Sequence, residues 1–504
     1  MRKKRAFYNL ITSIALQIVS IICGLIVPKL IIATYGSNLN GLINSITQFL
    51  SYIALLEVGF GPVILSILYK PIANKDKNKI KKILKSSELF FRKISFIFII
   101  YIIILCFVYP VFVNSNYDSL FIISLIIIIS LSTFAEYFFG LTYSIYLQAD
   151  QKKYVISLVR LVTTIINTIL ICILIKNNCN ILLVKFVSTL IYVSRPIIQY
   201  IYVKRKYKIN LKNVKEKEEI EEKWDGLSQH IAGTIYSSTD VTLLSFFSNM
   251  REVSVYSVYN MIISAVKNFI SILTGSVEAG FGDMIAKKEK DNLNEKFDIY
   301  EFIYFTTITI IYSCTTVLIV QFVKVYTMGI TDANYVRNAF AFILVTAAFV
   351  HAVKSIYNTL AFTAGKFKET HRGSWLEALS NLLISFCLVF KFGVIGVAIG
   401  TLVSVFIRCI EFMIFTSKNV LNRSIKKTFF RVSVCFVQYF IIYLVGKIIL
   451  DINVTSYLSW ILWAVIMVFI SIVVVLSSNV IFYKKEFNYF LTIIKNKFKK
   501  VTNY

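Results

Sequence analysis

The chain has 504 residues, 57 % of them hydrophobic, a mean hydropathy of +0.71 and a formal net charge of +27. Soluble chains are about 45–50 % apolar. Here the excess is gathered into runs of about 20 residues, the helix length that crosses a bilayer core, so a soluble globular protein is excluded and the positive charge must first be explained by membrane topology.

Fourteen apolar runs are expected to be transmembrane helices, because backbone groups in lipid must be satisfied within their own helix. Their approximate limits are 8–33, 41–69, 94–114, 119–147, 155–176, 181–203, 227–248, 255–284, 298–323, 339–364, 374–390, 393–416, 432–450 and 457–481, the eleventh being the shortest. The first run is too long for a cleavable signal peptide and ends in "VPKLII" rather than small residues. With "MRKKR" in the cytoplasm and alternation thereafter, most of the 54 lysines and arginines fall on the inner side, as the positive-inside rule expects. The charge therefore points to topology and anionic lipids, and no nucleic-acid partner is expected.

The first span carries a polar stripe, Asn9, Ser13, Gln17, Ser20 and Gly24, and then Pro28 and Lys29. A helix-interior proline removes a backbone hydrogen bond and can bend the helix, so Pro28 is a candidate hinge, a static kink being the alternative. Lys29 is a candidate for substrate binding or for snorkelling to the interface. Span 2 holds Glu57, favoured as a structural partner, and ends in Gly59-Phe60-Gly61; span 6 holds Lys185, Arg195 and Pro196. Arg195 suits either a cavity or a structural pair.

The lysine-rich segment 204–226 follows, too short and too charged for a domain, and reads as a cytoplasmic linker. Beyond it, span 7 carries His230, Thr234, Ser237 and Asp240. Span 8 is the most informative: Asn260, Ser264, Lys267, Ser271, Thr274 and Glu278 fall on one helical face with Lys267 near the middle. Hydroxyls often pack between helices. A central lysine is not explained that way, since a cation at mid-membrane costs about 2.5–3.5 kcal/mol on insertion scales. It should line a wet cavity or meet a partner such as Asp240. Span 10 carries His351, Lys354, Ser355 and Asn358.

Within spans, the cations Lys29, Arg160, Lys185, Arg195, Lys267, Lys354 and Arg408 stand against the anions Glu57, Glu136, Asp240, Glu278 and Glu411. Spans 3, 13 and 14 have no charges in their cores and belong at the lipid edge. The tail "EFNYFLTIIKNKFKK" reads as a basic amphipathic helix on the cytoplasmic surface. The eight cysteines form no CxxC, so neither disulfides nor a metal site is expected. There is no phosphate loop, HExxH or nucleophile elbow, and no cofactor or catalytic residue is expected.

Two echoes suggest an internal repeat. Gly-Phe-Gly recurs at 280–282, again just before a lysine-rich run. "QADQKKYVISLVRLVTTIINTIL" enters span 5, and "TAGKFKETHRGSWLEALSNLLIS" enters span 11, with Asn167 and Asn381 214 residues apart. Six spans precede the linker, so a six-helix repeat would be parallel, related by an axis along the membrane normal. The expected fold is all-α: an N-terminal lobe at 1–203, the linker at 204–226, a C-terminal lobe at 227–416, and two extra helices with a basic tail at 417–504.

On "PKLIIATYGSNLNGLINSITQFLSYIALLEVGFGPVI", "YLQADQKKYVI" and "AGKFKETHRGSWLEALSNLLISFCLVFKFGVIGVAIGT", the chain resembles the bacterial oligosaccharide flippases of the multidrug/oligosaccharidyl-lipid/polysaccharide exporter superfamily. The resemblance implies two lobes around a central cavity opened alternately to either side of the plasma membrane. It also implies a polyprenyl-diphosphate-linked glycan as substrate, destined for O-antigen, capsule or cell wall, with a polymerase and glycosyltransferases as possible partners beside membrane lipids. Lys267, Lys354, Arg195 and Lys29 are the candidate diphosphate-binding cations. Asn260, Ser264, Ser271 and Gln17 are the candidate polar contacts, and Asp240, His351 and Glu57 are candidates for ion coupling. An ion-coupled drug or cation exporter of the same superfamily, which would want a carboxylate-rich cavity, and a membrane-embedded glycan polymerase remain alternatives.

Overall fold

A computed structural model describes residues 2–57, 60–113, 115–209, 211, 214, 224–449, 454–489 and 492. Most of the 204–226 linker, Gly59 and about two thirds of the basic tail lie outside the described residues. The described chain is all-helical. Thirteen helical segments are long and apolar enough to cross a membrane, so this is a multi-pass membrane protein. The expected seventh span is also a helix, Trp224–Phe247, but Ser237, Ser238, Thr239, Asp240 and Thr242 make it more polar than the rest. The run expected to be shortest, 374–390, belongs to a full-length helix, Phe367–Phe392.

The chain divides into two compact units. The first comprises Met1–Ser257 with Gly329–Ala333. It contains α1 (Arg2–Tyr35), α2 (Ser37–Ser51), a 3₁₀ turn (Tyr52–Leu56), α3 (Phe60–Ala73), α4 (Lys77–Phe112), α5 (Ser119–Ala135), a π-helical turn (Glu136–Gly140), α6 (Leu141–Ala149), α7 (Lys153–Lys176), α8 (Ile181–Tyr207), α9 (Trp224–Phe247) and the start of α10 (Met250–Gly275). Small residues bring helices close in this unit. A Cβ on Gly41 of α2 would fall 1.7 Å from the Met250 carbonyl oxygen, and one on Gly140 would fall 2.7 Å from Cβ of Pro196. Beyond Gly41 a polar zipper joins α2 and the 3₁₀ turn after it to α9: Ser45 Oγ to Ser245 Oγ at 2.6 Å, Gln48 Nε2 donating to Ser238 Oγ at 2.8 Å, and Tyr52 OH of the turn to Thr242 Oγ1 at 2.6 Å. Asn40 Nδ2 donates to Ser254 Oγ of α10 at 2.7 Å.

The second unit comprises Val258–Met328 and Asn334–Tyr504. It holds the rest of α10, α11 (Glu278–Ala286), α12 (Lys290–Tyr326), α13 (Asn338–Thr363), α14 (Phe367–Phe392), α15 (Val394–Asn419), α16 (Ile425–Ile449) and α17 (Tyr457–Phe482). α12 and α13 are its most enclosed spans, while α17 exposes most of its apolar surface, in keeping with a lipid-edge position.

The structure breaks two runs that hydropathy leaves continuous. Span 2 divides into α2, the 3₁₀ turn and α3; span 8 divides into α10 and α11 across Ser276 and Val277. Phe60 and Gly61 open α3, and the second Gly-Phe-Gly lies in α11, each a short helix. These short helices pack alike: α3 on α4 and α6, α11 on α12 and α13. The turns after them also match. Lys75 and Lys288 both adopt left-handed backbone, followed in each case by an amide bonding back five residues: Asp76 N to Pro71 O and Glu289 N to Met284 O. The second echo repeats this at Gln151 and Gly365, with Lys152 N to Leu147 O at 2.8 Å and Lys366 N to Ala361 O at 3.0 Å. These are Schellman-type ends, satisfying carbonyls the helix leaves open.

Candidate functional site

In the second unit the polar stripe of α10 is present but shorter than expected. Asn260, Ser264 and Lys267 are partly buried, Ser271 is exposed with its hydroxyl bonded to the Asn268 carbonyl at 2.7 Å, and Thr274 is buried. Because α10 ends at Gly275, Glu278 belongs to another helix and leaves the stripe. Lys267 of α10 and Lys354 of α13 both lie within electrostatic reach of His351, so three of the sequence candidates come together. Ser355, one turn on, bonds the His351 carbonyl rather than its ring.

Lys354 has a committed partner. Its ammonium donates to Glu377 Oε1 of α14 at 2.5 Å, and both side chains are about 90 % buried. The same carboxylate faces Arg408 Nε of α15 at 3.8 Å. Arg408 in turn reaches Glu411 at 2.6 Å, the Thr370 carbonyl at 2.8 Å and Ser374 Oγ at 2.8 Å, and lies over the Phe412 ring. The chain Lys354–Glu377–Arg408–Glu411 thus alternates in sign across α13, α14 and α15.

A second buried network centres on Glu301 of α12, which has no exposed surface. Its Oε1 accepts from Tyr357 OH at 2.6 Å and from Arg423 NH2 at 2.6 Å; its Oε2 accepts from Arg431 NH1 at 2.7 Å. Asp298 adds contacts to Arg423 and Lys427, and Arg431 also bonds Glu486, beyond α17. Burial alone would lower the pKa of Arg423, in the loop before α16, but Glu301 and Asp298 hold it raised.

In the first unit, α1 runs unbroken through Pro28, and Gln17 and Lys29 are partly buried. Asn9 does not continue a free stripe: it caps the turn before α7, its Nδ2 donating to the Gln151 carbonyl at 3.1 Å and its Oδ1 accepting from Tyr154 N at 2.7 Å. Beside it, Asp150 meets Arg5 at 3.3 Å, Lys152 at 2.7 Å and the Tyr207 hydroxyl. Burial would raise the Asp150 pKa, but these partners hold it below its ordinary value. Asp240 of α9 is buried and accepts from Tyr256 OH at 2.8 Å.

Glu57 accepts from Tyr137 OH at 2.9 Å and lines a cavity of about 600 Å³ together with Glu136, Lys185 and a set of hydroxyl groups. A smaller cavity of about 120 Å³ shares Ser132, Thr133, Glu136 and Tyr192 with it and adds Arg160 and Arg195. Arg195 lies over the Tyr192 ring and donates to Thr163 and Thr164, both at 2.8 Å; Arg160 meets Glu136 at 3.3 Å. The π-helical turn, where an extra residue widens the helix, carries Glu136 and Tyr137 to these walls.

Hydropathy passed over Glu301 and Glu377. A signal for the second is in the sequence: Glu377, Asn381 and Ser385 repeat every four residues, and all three are buried. With these two added to the five anions named above, the within-span charges no longer lean toward cations. The count therefore carries no argument about substrate charge.

No protein-family model and no curated protein matches the chain. Solved structures do. The lipid II flippase MurJ in an inward closed conformation aligns with a TM-score of 0.65 at 17 % identity, covering 94 % of this chain and 99 % of that one. An inward-facing multidrug resistance MATE family transporter of the MOP superfamily aligns at 0.59 and 13 % identity, covering 84 % and 99 %. A MOP superfamily transporter from Pyrococcus furiosus, described as having a binding pocket of reverse polarity, aligns at 0.57 and 12 % identity, covering 84 % and 97 %. The chain shares their fold. Nearly the full length of each of these transporters is matched, so the likeness concerns the whole architecture rather than one helical hairpin.

Proposed function

We propose that this protein is a flippase that moves a polyprenyl-diphosphate-linked oligosaccharide from the inner to the outer leaflet of the bacterial plasma membrane by alternating access, for cell-surface polysaccharide synthesis. Its termini lie in the cytoplasm, and the moving parts are the lobes at 1–203 and 227–416, with Pro28 as a hinge in α1. The observation that carries this reading is Lys267, a cation in the interior of a membrane-length helix, on one face with Asn260 and Ser264 and within electrostatic reach of His351. It supplies a point charge for a diphosphate, with hydroxyl and amide groups for the adjoining sugar. Ser271 extends the polar contacts along α10; in the first unit, Gln17, Lys29 and Arg195 are separate candidate contacts for the substrate. Lys354 supports the site by fixing α13 against α14. Protein partners of the pathway, a polymerase and glycosyltransferases, act before and after the transfer.

The likeness to MATE-type transporters, and the carboxylates Glu57 and Glu136 on one cavity, favour a second reading as an ion-coupled exporter of cationic drugs, with Asp240, His351 and Glu57 taking up the coupling ion. One experiment separates the two. Purified protein in liposomes is offered a fluorescent polyprenyl-diphosphate glycan and, separately, a cationic dye. The flippase reading expects translocation of the glycan, its loss in Lys267→Ala, partial retention in Lys267→Arg and the deepest loss in Lys267→Glu. Dye export without glycan movement, or full glycan movement by a well-folded Lys267→Glu variant, overturns it.

A further inference from the structure

The larger cavity of the first unit has a wall that pairing within the protein does not account for. α8 turns Lys185, Ser188, Thr189 and Tyr192 toward it, at the i, i+3, i+4 and i+7 spacing of one helical face. Thr133 of α5 faces the same space. Among the described residues, Lys185 makes no ion pair or hydrogen bond, and the hydroxyls of Thr133, Ser188 and Thr189 make none either. Other cations near this space are engaged: Arg195 by Thr163 and Thr164, Arg160 by Glu136. Opposite stands Glu57, with one carboxylate oxygen held by Tyr137.

Idle hydroxyls beside an uncommitted ammonium ask for a ligand that carries several hydroxyl groups and one negative charge. The Tyr192 ring, one face of which Arg195 covers, lines the same cavity, and Glu57 can accept from sugar hydroxyls. The volume, about 600 Å³, lies within the usual span of about 300–1,000 Å³ for small-ligand pockets. That is far more room than an inorganic anion needs. Of the two carboxylates on the same cavity, Glu136 is paired with Arg160 and Glu57 is held by Tyr137, so Lys185 is the charge there that no described group answers. We infer that this cavity is a subsite for an acidic sugar, a uronic acid or similar carboxylate-bearing residue of the transported glycan, with Lys185 binding its carboxylate. The inference rests on the flippase reading for the source of the sugar, and on the cavity alone for its chemistry.

The test uses the full-length protein in lipid nanodiscs and two free disaccharides of equal size: glucuronic acid linked to N-acetylglucosamine, and neutral N-acetyllactosamine. Calorimetric titration should show the acidic probe binding at least tenfold more tightly. Lys185→Met should erase that preference while leaving the neutral affinity unchanged, Lys185→Arg should keep most of it, and Lys267→Ala should leave it intact. A thermal melt of each variant confirms that the fold survives. Equal affinity for the two probes, or a preference that persists in Lys185→Met, overturns the subsite. Because the probes carry no lipid, a wild-type protein that prefers the acidic disaccharide yet translocates no lipid-linked glycan upholds the subsite while the flippase reading fails.

Discussion

Replacing Lys354 with methionine keeps most of the side-chain length and removes the charge, leaving Glu377 buried with only Arg408 for company. At an effective dielectric of about 20, unit charges attract by about 7 kcal/mol at 2.5 Å and about 4 kcal/mol at 3.8 Å. Most of this is offset by desolvation, and breaking one side of a buried pair costs a net of about 3–5 kcal/mol. Since Arg408 remains 3.8 Å from Glu377, the lower end applies: Lys354→Met should destabilise the protein by about 3 kcal/mol. The double variant Lys354→Met, Glu377→Leu removes both charges, and Arg408 keeps Glu411 at 2.6 Å. It should return to within about 1 kcal/mol of wild type, as apolar replacement of buried pairs often does. Equilibrium unfolding in mixed micelles gives the stabilities, and glycan translocation is measured on the same preparations. A single variant as stable as wild type refutes the structural role. A stable double variant that no longer translocates shows instead that Lys354 contacts substrate.

Three further expectations concern the first unit. Ser45→Cys with Ser245→Cys, in a background without native cysteines, should form a disulfide on oxidation, since the parent oxygens are 2.6 Å apart; if alternating access parts α2 from α9, transport should stop on oxidation and resume on reduction, and undiminished transport by the oxidised form would show that this zipper need not open. Gly41→Ala drives a methyl against the Met250 backbone and should cost at least the 1–3 kcal/mol typical of overpacking, about 2 kcal/mol as a working value; an unchanged melting temperature would contradict the close approach. Asp150 has a depressed pKa, so its contribution is fully present above the ordinary carboxylate value and lost as pH falls through the folded value. Wild type should therefore lose stability relative to Asp150→Asn on acidification below pH of about 4, and parallel pH profiles for the two proteins would disprove the lock.

Much of the fold was legible because membrane helices announce themselves by length and apolarity, a signal that survives without homologues. α14 shows that even a short hydropathy peak marks a full helix. The breaks in spans 2 and 8 escape a hydropathy average, yet the sequence marks them: "TGSVEAGFG" sets Val277 between Ser276 and Glu278 with Gly275 and Gly280 close by, and span 2 carries "EVGFG". α10 supplied the candidate site for the opposite reason, since a periodic polar stripe is visible without knowing its surroundings. Partnership is a different kind of information. Lys354 and Lys267 look alike in sequence, each a cation near the middle of its span, and only the crossing of α13 with α14 shows that Lys354 meets Glu377. Asn9 likewise fits the stripe of α1 by spacing, yet its side-chain amide is spent at the start of α7 because the Gln151 carbonyl and the Tyr154 amide lie against it.

The Glu301 cluster also bears on how the protein is made. Tyr357 follows Glu301 by 56 residues, but the arginines that neutralise it follow by 122 and 130. At a synthesis rate of about 5–20 residues per second, α12 is complete about 5 to 21 s before both counter-charges have been added. During that interval a carboxylate destined for full burial has no cation in place. Assembly of the second unit is therefore ordered in time: α12 must wait near water or protonated until the segment leading into α16 arrives. Truncation between the end of α12 and residue 423 leaves a helix with an unanswered charge, a mark by which membrane quality control can recognise an unfinished chain.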